Sequence, residues 1–256
     1  GNILVMIGNI IWEDLKFFLT RLRALRTSEM LALGDDEGFC VSTCCDFESW
    51  VYYPANIEDE ALVNEVIRFC RERNISFLWP VYDGGKKILE NAGLLYAGDL
   101  TAMTFDSKFA DTLHMNHDVT FELITSADGA NRFASNVWLG FDGSADTMPE
   151  NYCKLMEGLS EDQENLCMYI AKYCGEDAGT FLVTNEPELM GVYYFSTLPI
   201  FRRMGIARAM MNEICRLSSG KRIVLQSTPS GVFFYRSYGF DELFKMAVYS
   251  TEEDVF

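Results

Sequence analysis

The pattern of apolar and polar positions over residues 119–256 predicts a mixed α/β fold. Apolar and polar residues alternate over 119–126 (VTFELITS), which is typical of a half-buried strand. Apolar residues recur every three or four positions over 205–219 (GIARAMMNEICRLSS), which predicts an amphipathic helix that ends at Gly220. Taken along the chain, the segments follow the order β-α-α-β-β-β-α-β-α-β, with Asp128 as the expected N-cap of the first helix.

The preceding residues show a shorter pattern of the same kind. Its predicted elements are helices at 9–25, 58–74 and 84–93 and strands or extended segments at 38–44, 48–53, 75–82 and 94–106. Like the second part, this first part ends in a strand, a turn, a short helix, a glycine and a strand.

The two ends also match in spacing. Residues 85–93 and 231–239 both begin and end with glycine and enclose the predicted short helix. An internal repeat of this kind predicts two related domains, 1–118 and 119–256, joined by a linker near residues 107–118.

The cysteines and histidines do not form a metal-binding pattern. The eight cysteines include no CxxC pair, and most lie in apolar segments, which predicts reduced, buried thiols in a cytoplasmic protein. His114 and His117 have no cysteine cluster nearby, so we expect no zinc site. We also expect no signal peptide and no membrane-spanning helix, because the start lacks a basic region and no apolar run is long enough.

The net charge of −17 narrows the choice of partners. The negative charge is evenly spread, with 10 basic and 19 acidic residues in 1–118 and 11 and 19 in 119–256. Such a field disfavours nucleic acid and anionic membranes. It is compatible with an amine substrate, and it is equally explained as a charge that keeps the protein in solution.

One basic stretch departs from this acidic background. Arg202 and Arg203 lie where the predicted helix at 205–219 begins, although a helix N-terminus already carries partial positive charge. Gly205 and the small Ala207 would let a ligand approach the backbone of the first turn. The alternatives are a phosphate site at the free N–H groups or a solvated basic turn.

The wider context favours the phosphate site. Arg202-x-x-Gly205-x-Ala207 resembles the pyrophosphate loop of the GCN5-related N-acetyltransferase (GNAT) superfamily, and TPSGVFFYRSYGF at 228–240 resembles its tyrosine-containing motif. The order of elements over 119–251 is also that of the superfamily. The resemblance implies two acyl-CoA N-acyltransferase-like domains, of which the N-terminal one is truncated and degenerate.

The resemblance also implies roles for individual residues. Backbone N–H groups of Arg203, Met204, Gly205, Ile206, Ala207 and Arg208 would hold the pyrophosphate of acetyl-CoA. Ser196, Thr197 and Leu198 would hydrogen-bond the pantetheine, and the Leu198 N–H would polarise the thioester carbonyl. Thr228 lies where the family often has Asn or Ser on the pantetheine arm. Tyr235 matches the general acid that protonates the departing thiolate.

The first part lacks these features. Leu89 stands opposite Tyr235 when the repeats are aligned, and residues 1–118 contain no comparable loop, so we expect no acetyl-CoA site there. Trp79, Tyr82 and Asp83 would either face an acceptor cleft or pack in a core.

The implied reaction is direct transfer of an acetyl group from acetyl-CoA to an amine of a small molecule or peptide. No general base is evident: Glu188 stands at the start of the central strand, and Tyr193 or Tyr194 could only orient a water. The alternative is an acyl-CoA-binding sensor or interaction module without efficient transfer.

Overall fold

A computed structural model describes residues 2–34, 38–43, 45–46, 48–81, 84–111, 115–253 and 255–256, with backbone alone for 2–8. Tyr82, Asp83 and His114, which the sequence singled out, lie outside the described residues. The predictions made for those three side chains therefore stay predictions.

The elements of the first part of the chain agree with the sequence pattern, with one addition. The observed elements are α1 (Asn2–Arg23), β1 (Glu29–Leu33), β2 (Gly38–Ser42), β3 (Trp50–Tyr52), α2 (Glu60–Glu72), β4 (Trp79–Val81), α3 (Lys86–Asn91) and β5 (Leu95–Asp106). Strand β1 was not predicted, because it is short and most of its residues are exposed or only partly buried.

The second part has the predicted order of strands and helices, so the mixed α/β fold class is confirmed. Its elements are β6 (Val119–Leu123), α4 (Ala127–Gly140), α5 (Tyr152–Ser160), β7 (Leu166–Tyr173), β8 (Glu176–Thr184), β9 (Leu189–Thr197), α6 (Ile206–Ser218), β10 (Arg222–Ser227), α7 (Val232–Tyr238) and β11 (Asp241–Ser250). The expected cap of α4 is wrong: Ser126, not Asp128, accepts a hydrogen bond from the Gly129 N–H.

The chain forms two compact units, residues 1–103 with 226–256 and residues 104–225. In the first unit, β1, β2 and β3 form an antiparallel sheet, and β11 pairs antiparallel with β4 and lies between β4 and β5. Its core gathers large apolar side chains such as Phe77, Trp79 and Leu89.

The second unit contains a sheet with the strand order β10-β9-β8-β7-β6 and the helices α4, α5 and α6. Strands β9 and β10 are parallel, and the other neighbouring pairs are antiparallel. Helix α6 buries Ile206, Met210 and Ile214, the apolar face that the three- and four-residue spacing predicts.

The two short helices α3 and α7 share a pattern of backbone hydrogen bonds. The N–H groups of Leu89 and Tyr235 each donate to the carbonyl of the glycine four residues earlier, at 3.0 and 3.3 Å. The residue after the closing glycine, Leu94 or Phe240, donates to the carbonyl five residues back, at 3.0 and 2.9 Å. The opening glycines differ, with a φ of 74° at Gly85 and −89° at Gly231, so the internal repeat stays a prediction. The division into domains 1–118 and 119–256 stays a prediction, since the compact units are defined by contacts.

Candidate active site

Strand β9 has one open edge near its C-terminal end. On one side it pairs with β8 as far as Thr197, which lies opposite Gly179. On the other side, within the described residues of the second unit, its register with β10 covers only Leu189 to Gly191. The N-terminal part of β9 is therefore paired on both edges, whereas Thr197 lies opposite β8 and has no β10 partner among the described residues of this unit; we call that side of Thr197 the open edge.

The hydrogen bonds of Leu198 contradict its predicted role. Its N–H donates to the carbonyl of Ala178 at 2.8 Å, and its carbonyl accepts the N–H of Phe201 at 2.9 Å. Both backbone groups are thus used within the fold, and the Leu198 N–H is not available to polarise a thioester. Since backbone groups alternate between the two edges of a strand, the N–H of Thr197 points to the open edge instead.

Two buried hydroxyl groups fix the backbone just before Thr197. The Thr180 hydroxyl donates to the Tyr194 carbonyl at 2.8 Å, so the Ser196 hydroxyl is the donor in their contact at 2.6 Å. Tyr194 has a left-handed φ of 52°, and the register shifts here between β8 and β9, which marks a β-bulge. The Ser196 side chain, predicted near the pantetheine, is therefore buried in this contact.

Gly140, at the end of α4, allows this arrangement. A Cβ placed on Gly140 would lie 2.3 Å from the Ser196 Oγ, so no larger residue fits without moving the strand. The role of Thr180 and Gly140 in shaping β9 was not predicted, because neither residue belongs to a recognisable motif.

The predicted pyrophosphate loop has the geometry of an anion site. Arg203 and Gly205 have left-handed φ values of 63° and 81°, and Gly205 is the N-cap of α6. A glycine cap supplies no side-chain acceptor, so the N–H groups of Ile206 and Ala207 in the first turn receive no side-chain cap from it. Left-handed residues beside a helix start form a concavity of N–H groups that suits an anion.

The arginines of the loop divide into two kinds. Arg202 donates to the Asp142 carboxylate at 2.8 Å and to the Gly140 carbonyl at 3.1 Å, so its charge is paired within the fold. Arg203 is exposed and has no hydrogen bond or ion pair with the part of the chain that the structure describes. Arg202, the first arginine of the motif, is therefore held by contacts within the fold, whereas the exposed Arg203 guanidinium can pair with an anionic ligand.

Thr228 and Tyr235 belong to the first unit, whereas all predicted residues from Ser196 to Arg208 belong to the second. Tyr235 is 8% exposed and its ring lies 5.4 Å from that of Phe234 and 5.5 Å from that of Phe240. Burial raises the pKa of Tyr235 well above its ordinary value of 10.0, so the phenol keeps its proton at neutral pH. Thr228 accepts the Gly231 N–H at its carbonyl, which shapes the turn before α7.

Helix α2, which precedes β4 and α3 as α6 precedes β10 and α7, begins differently. Its N-cap Asp59 accepts the Ala61 N–H at 2.8 Å, and Glu60 follows in the first turn. A pyrophosphate here would meet two carboxylates and a donor that is already occupied. The geometry of this helix start is thus unfavourable for a coenzyme.

An ionic cluster fastens α4 to the sheet of the second unit. Arg132 on α4 makes paired hydrogen bonds to both Glu122 and Asp177, and Asn136 donates to Asp177 at 2.9 Å. The bonds from Arg132 lower the pKa of Glu122. Burial alone would raise the pKa of Asp177, but bonds from Arg132 and Asn136 outweigh it and lower that pKa. The carboxylates are paired, so neither is a candidate base.

No helix in the described ranges has the length and apolar character to cross a membrane. Within the same residues, no three His, Cys, Asp or Glu side chains are grouped so that they could hold a metal ion.

Solved structures with a similar fold include GNAT acetyltransferases. A GCN5-related N-acetyltransferase from Kribbella flavida has 13% sequence identity and a TM-score of 0.67, over 94% of this chain and 95% of that chain. A tandem GNAT protein from the clavulanic acid biosynthesis pathway has 12% identity and a TM-score of 0.60, over 92% and 86%. A functionally unknown conserved protein from Staphylococcus epidermidis has 10% identity and a TM-score of 0.64, over 87% and 93%.

These likenesses confirm the predicted GNAT fold. No family model and no curated protein matches the chain. At identities of 10 to 13%, the similarity establishes the fold, and the reaction has to be argued from the chain's own residues.

Proposed function

We propose that this protein is an N-acetyltransferase that moves the acetyl group of acetyl-CoA directly to an amine of a small molecule or peptide. The observation that carries the proposal is the start of α6, where uncapped N–H groups follow two left-handed residues and lie next to the strand with the open edge. A coenzyme A thioester has the two groups that this arrangement can bind, a pyrophosphate and an extended amide-bearing arm.

The pyrophosphate would be held by backbone N–H groups from Arg203, Met204, Gly205, Ile206, Ala207 and Arg208. The helix dipole and the exposed Arg203 guanidinium both favour negative charge at this position. Gly205 leaves space above the backbone, since a Cβ there would contact a single atom within 4 Å.

The pantetheine arm would run along the open edge of β9. We assign the donor for the thioester carbonyl to the Thr197 N–H, because the Leu198 N–H is bonded to Ala178. A fixed backbone donor stabilises the negative charge that develops on the carbonyl oxygen when an amine attacks. Holding the thioester and the amine together supplies much of the remaining rate enhancement.

We assign the proton donor for the leaving thiolate to Tyr235 from its position in the motif, and we place Thr228 on the pantetheine arm on the same ground. A thiol has an ordinary pKa of about 8.5, below the pKa of the buried Tyr235 phenol. Tyr235 would therefore act mainly by donating a hydrogen bond to the developing thiolate, with water completing the protonation.

The acceptor must lose a proton before it can attack, since an alkyl amine has a pKa of about 10. The net charge of −17 favours a cationic amine over an acidic acceptor.

The proposal is tested by isothermal titration of acetyl-CoA into the wild-type protein and into two glycine variants. Gly205→Asp places a carboxylate in the anion site, and we expect it to abolish binding. Gly220→Asp is the matched control: its φ of 87° is close to the 81° of Gly205, its surroundings are open, and it lies past the other end of α6. Along the 13 residues of this helix the two positions are separated by about 20 Å.

Binding that survives in Gly220→Asp and is lost in Gly205→Asp supports the loop as the coenzyme site. Equal affinity in all three proteins, or no binding by the folded wild-type protein, contradicts the proposal.

A second candidate function is binding of acyl-CoA without efficient transfer, as a sensor or interaction module. It is favoured by one observation: β9 carries no Asp, Glu or His that could serve as a base. Binding of acetyl-CoA without release of free thiol in the presence of polyamines, aminoglycosides, amino acids and peptide N-termini would support this alternative.

A further inference from the structure

Asn116 lies in the segment before β6 and has a fixed side-chain orientation. Its Oδ1 accepts the Asp118 N–H at 3.0 Å, and its carbonyl accepts the Val119 N–H at 3.2 Å. The hydrogen bond at Oδ1 settles which end of the amide faces its own turn. The Nδ2 group therefore points away from that turn.

The Nδ2 group of Asn116 faces the space above Gly205. A Cβ built on Gly205 would lie 3.9 Å from the Asn116 Nδ2, and no other atom comes within 4 Å of that point. Among the residues that the structure describes, the Nδ2 group has no hydrogen-bond acceptor. An exposed amide donor thus lies beside the start of α6, on the side that a ligand over Gly205 would occupy.

We propose that Asn116 is a further ligand of the coenzyme pyrophosphate, with its Nδ2 group donating a hydrogen bond to a phosphate oxygen bound over Gly205. This inference rests on the proposed function. The backbone N–H groups of α6 face the pyrophosphate from one side, and a neutral amide donor from a second chain segment would add a contact on another. The Asx turn holds the donor in place before the ligand arrives, so little side-chain entropy is lost on binding.

The neutral variant Asn116→Ser removes the amide donor and keeps a hydroxyl that can accept the Asp118 N–H. We expect it to bind acetyl-CoA about tenfold more weakly, the loss of one hydrogen bond to a charged group. Asn116→Asp keeps the turn and replaces the donor with a carboxylate, so we expect a loss of about a hundredfold. The control Asn185→Asp adds the same charge in the exposed β8–β9 turn, at the end of β9 remote from Thr197.

The measurement is isothermal titration of each variant with acetyl-CoA and with acetyl-pantetheine, which lacks the pyrophosphate. The inference predicts weaker binding of acetyl-CoA by both Asn116 variants, unchanged binding by Asn185→Asp and unchanged binding of acetyl-pantetheine throughout. Wild-type affinity in Asn116→Ser, together with abolished binding in Gly205→Asp, overturns this inference and leaves the proposed function in place. An equal loss for both ligands also overturns it, and a wild-type protein that binds neither ligand overturns both proposals.

Discussion

Replacing Thr180 by valine tests whether its hydroxyl holds the bulge of β9. The change keeps the shape of the side chain and removes one donor and one acceptor. Two groups then lose a hydrogen bond: the part-buried Tyr194 carbonyl, bonded at 2.8 Å, and the buried Ser196 hydroxyl, bonded at 2.6 Å. Thr180 is fully buried and Ser196 is 6% exposed, so water cannot readily replace the lost bonds.

The size of the effect follows from these contacts. A buried polar group left without its partner costs about 1–3 kcal/mol, and the methyl group that replaces the hydroxyl returns up to about 0.8 kcal/mol. For two such groups we expect the free energy of unfolding to fall by about 2–4 kcal/mol. We also expect acetyl-CoA to bind about tenfold more weakly, because the backbone before Thr197 is no longer held in place.

Thr184→Val is the matched control for this experiment. Thr184 lies on the same strand, is fully buried, and also makes two hydrogen bonds, accepting the Gly191 N–H at 2.7 Å and donating to Glu186 at 3.1 Å. It should destabilise the protein to a similar degree without weakening acetyl-CoA binding. Urea unfolding followed by tryptophan fluorescence gives the stability, and isothermal titration gives the affinity.

Two results would refute the reasoning. A loss of less than about 1 kcal/mol in Thr180→Val would mean that its hydroxyl does not stabilise both the Tyr194 carbonyl and the Ser196 hydroxyl. Wild-type affinity for acetyl-CoA in a Thr180→Val protein that is as destabilised as expected would mean that the bulge does not shape the coenzyme-binding edge.

Three further outcomes are expected. The folded-state pKa values of Glu122 and Asp177 are lowered, so the two carboxylates stabilise the protein fully above their unfolded pKa values of about 4.3 and 3.9. This stabilisation is lost as the pH falls through the lower folded-state pKa values. Urea unfolding midpoints between about pH 2 and 6 should show the loss, and the pH dependence should be smaller in Arg132→Met. Asp59→Ala should lower stability by about 1 kcal/mol without changing acetyl-CoA affinity, and a changed affinity would place a coenzyme site at α2. Tyr235→Phe should slow thiol release at unchanged acetyl-CoA affinity, whereas an unchanged rate would exclude Tyr235 as the donor.

Much of the fold follows from local patterns in the sequence. The α6 helix has apolar residues at helical spacing, and glycines at the same spacing enclose α3 and α7. Each of these patterns lies within a few residues of the chain, so it predicts an element without any information on which distant residues pack against it. The N-cap of α4 was misassigned because Ser126 and Asp128 are both good capping residues two positions apart, and only the backbone geometry distinguishes them.

The loop motif likewise predicts, from residue types alone, that the start of α6 binds an anion. A glycine cap, an adjacent arginine and a small residue are local properties, and the left-handed backbone at Arg203 and Gly205 agrees with them.

The tertiary structure decided which backbone and side-chain groups remain available to a ligand. Leu198 loses its predicted role because the register of β9 with β8 pairs its N–H with Ala178, and a strand register is set by contacts far along the chain. Arg202 is paired with Asp142, 60 residues away, and the amide of Asn116 reaches Gly205 from a segment that no motif includes. The sequence by itself determined the glycine-capped start of α6 and the arginines beside it, and the long-range packing determined which hydrogen-bond donors there are already used within the fold.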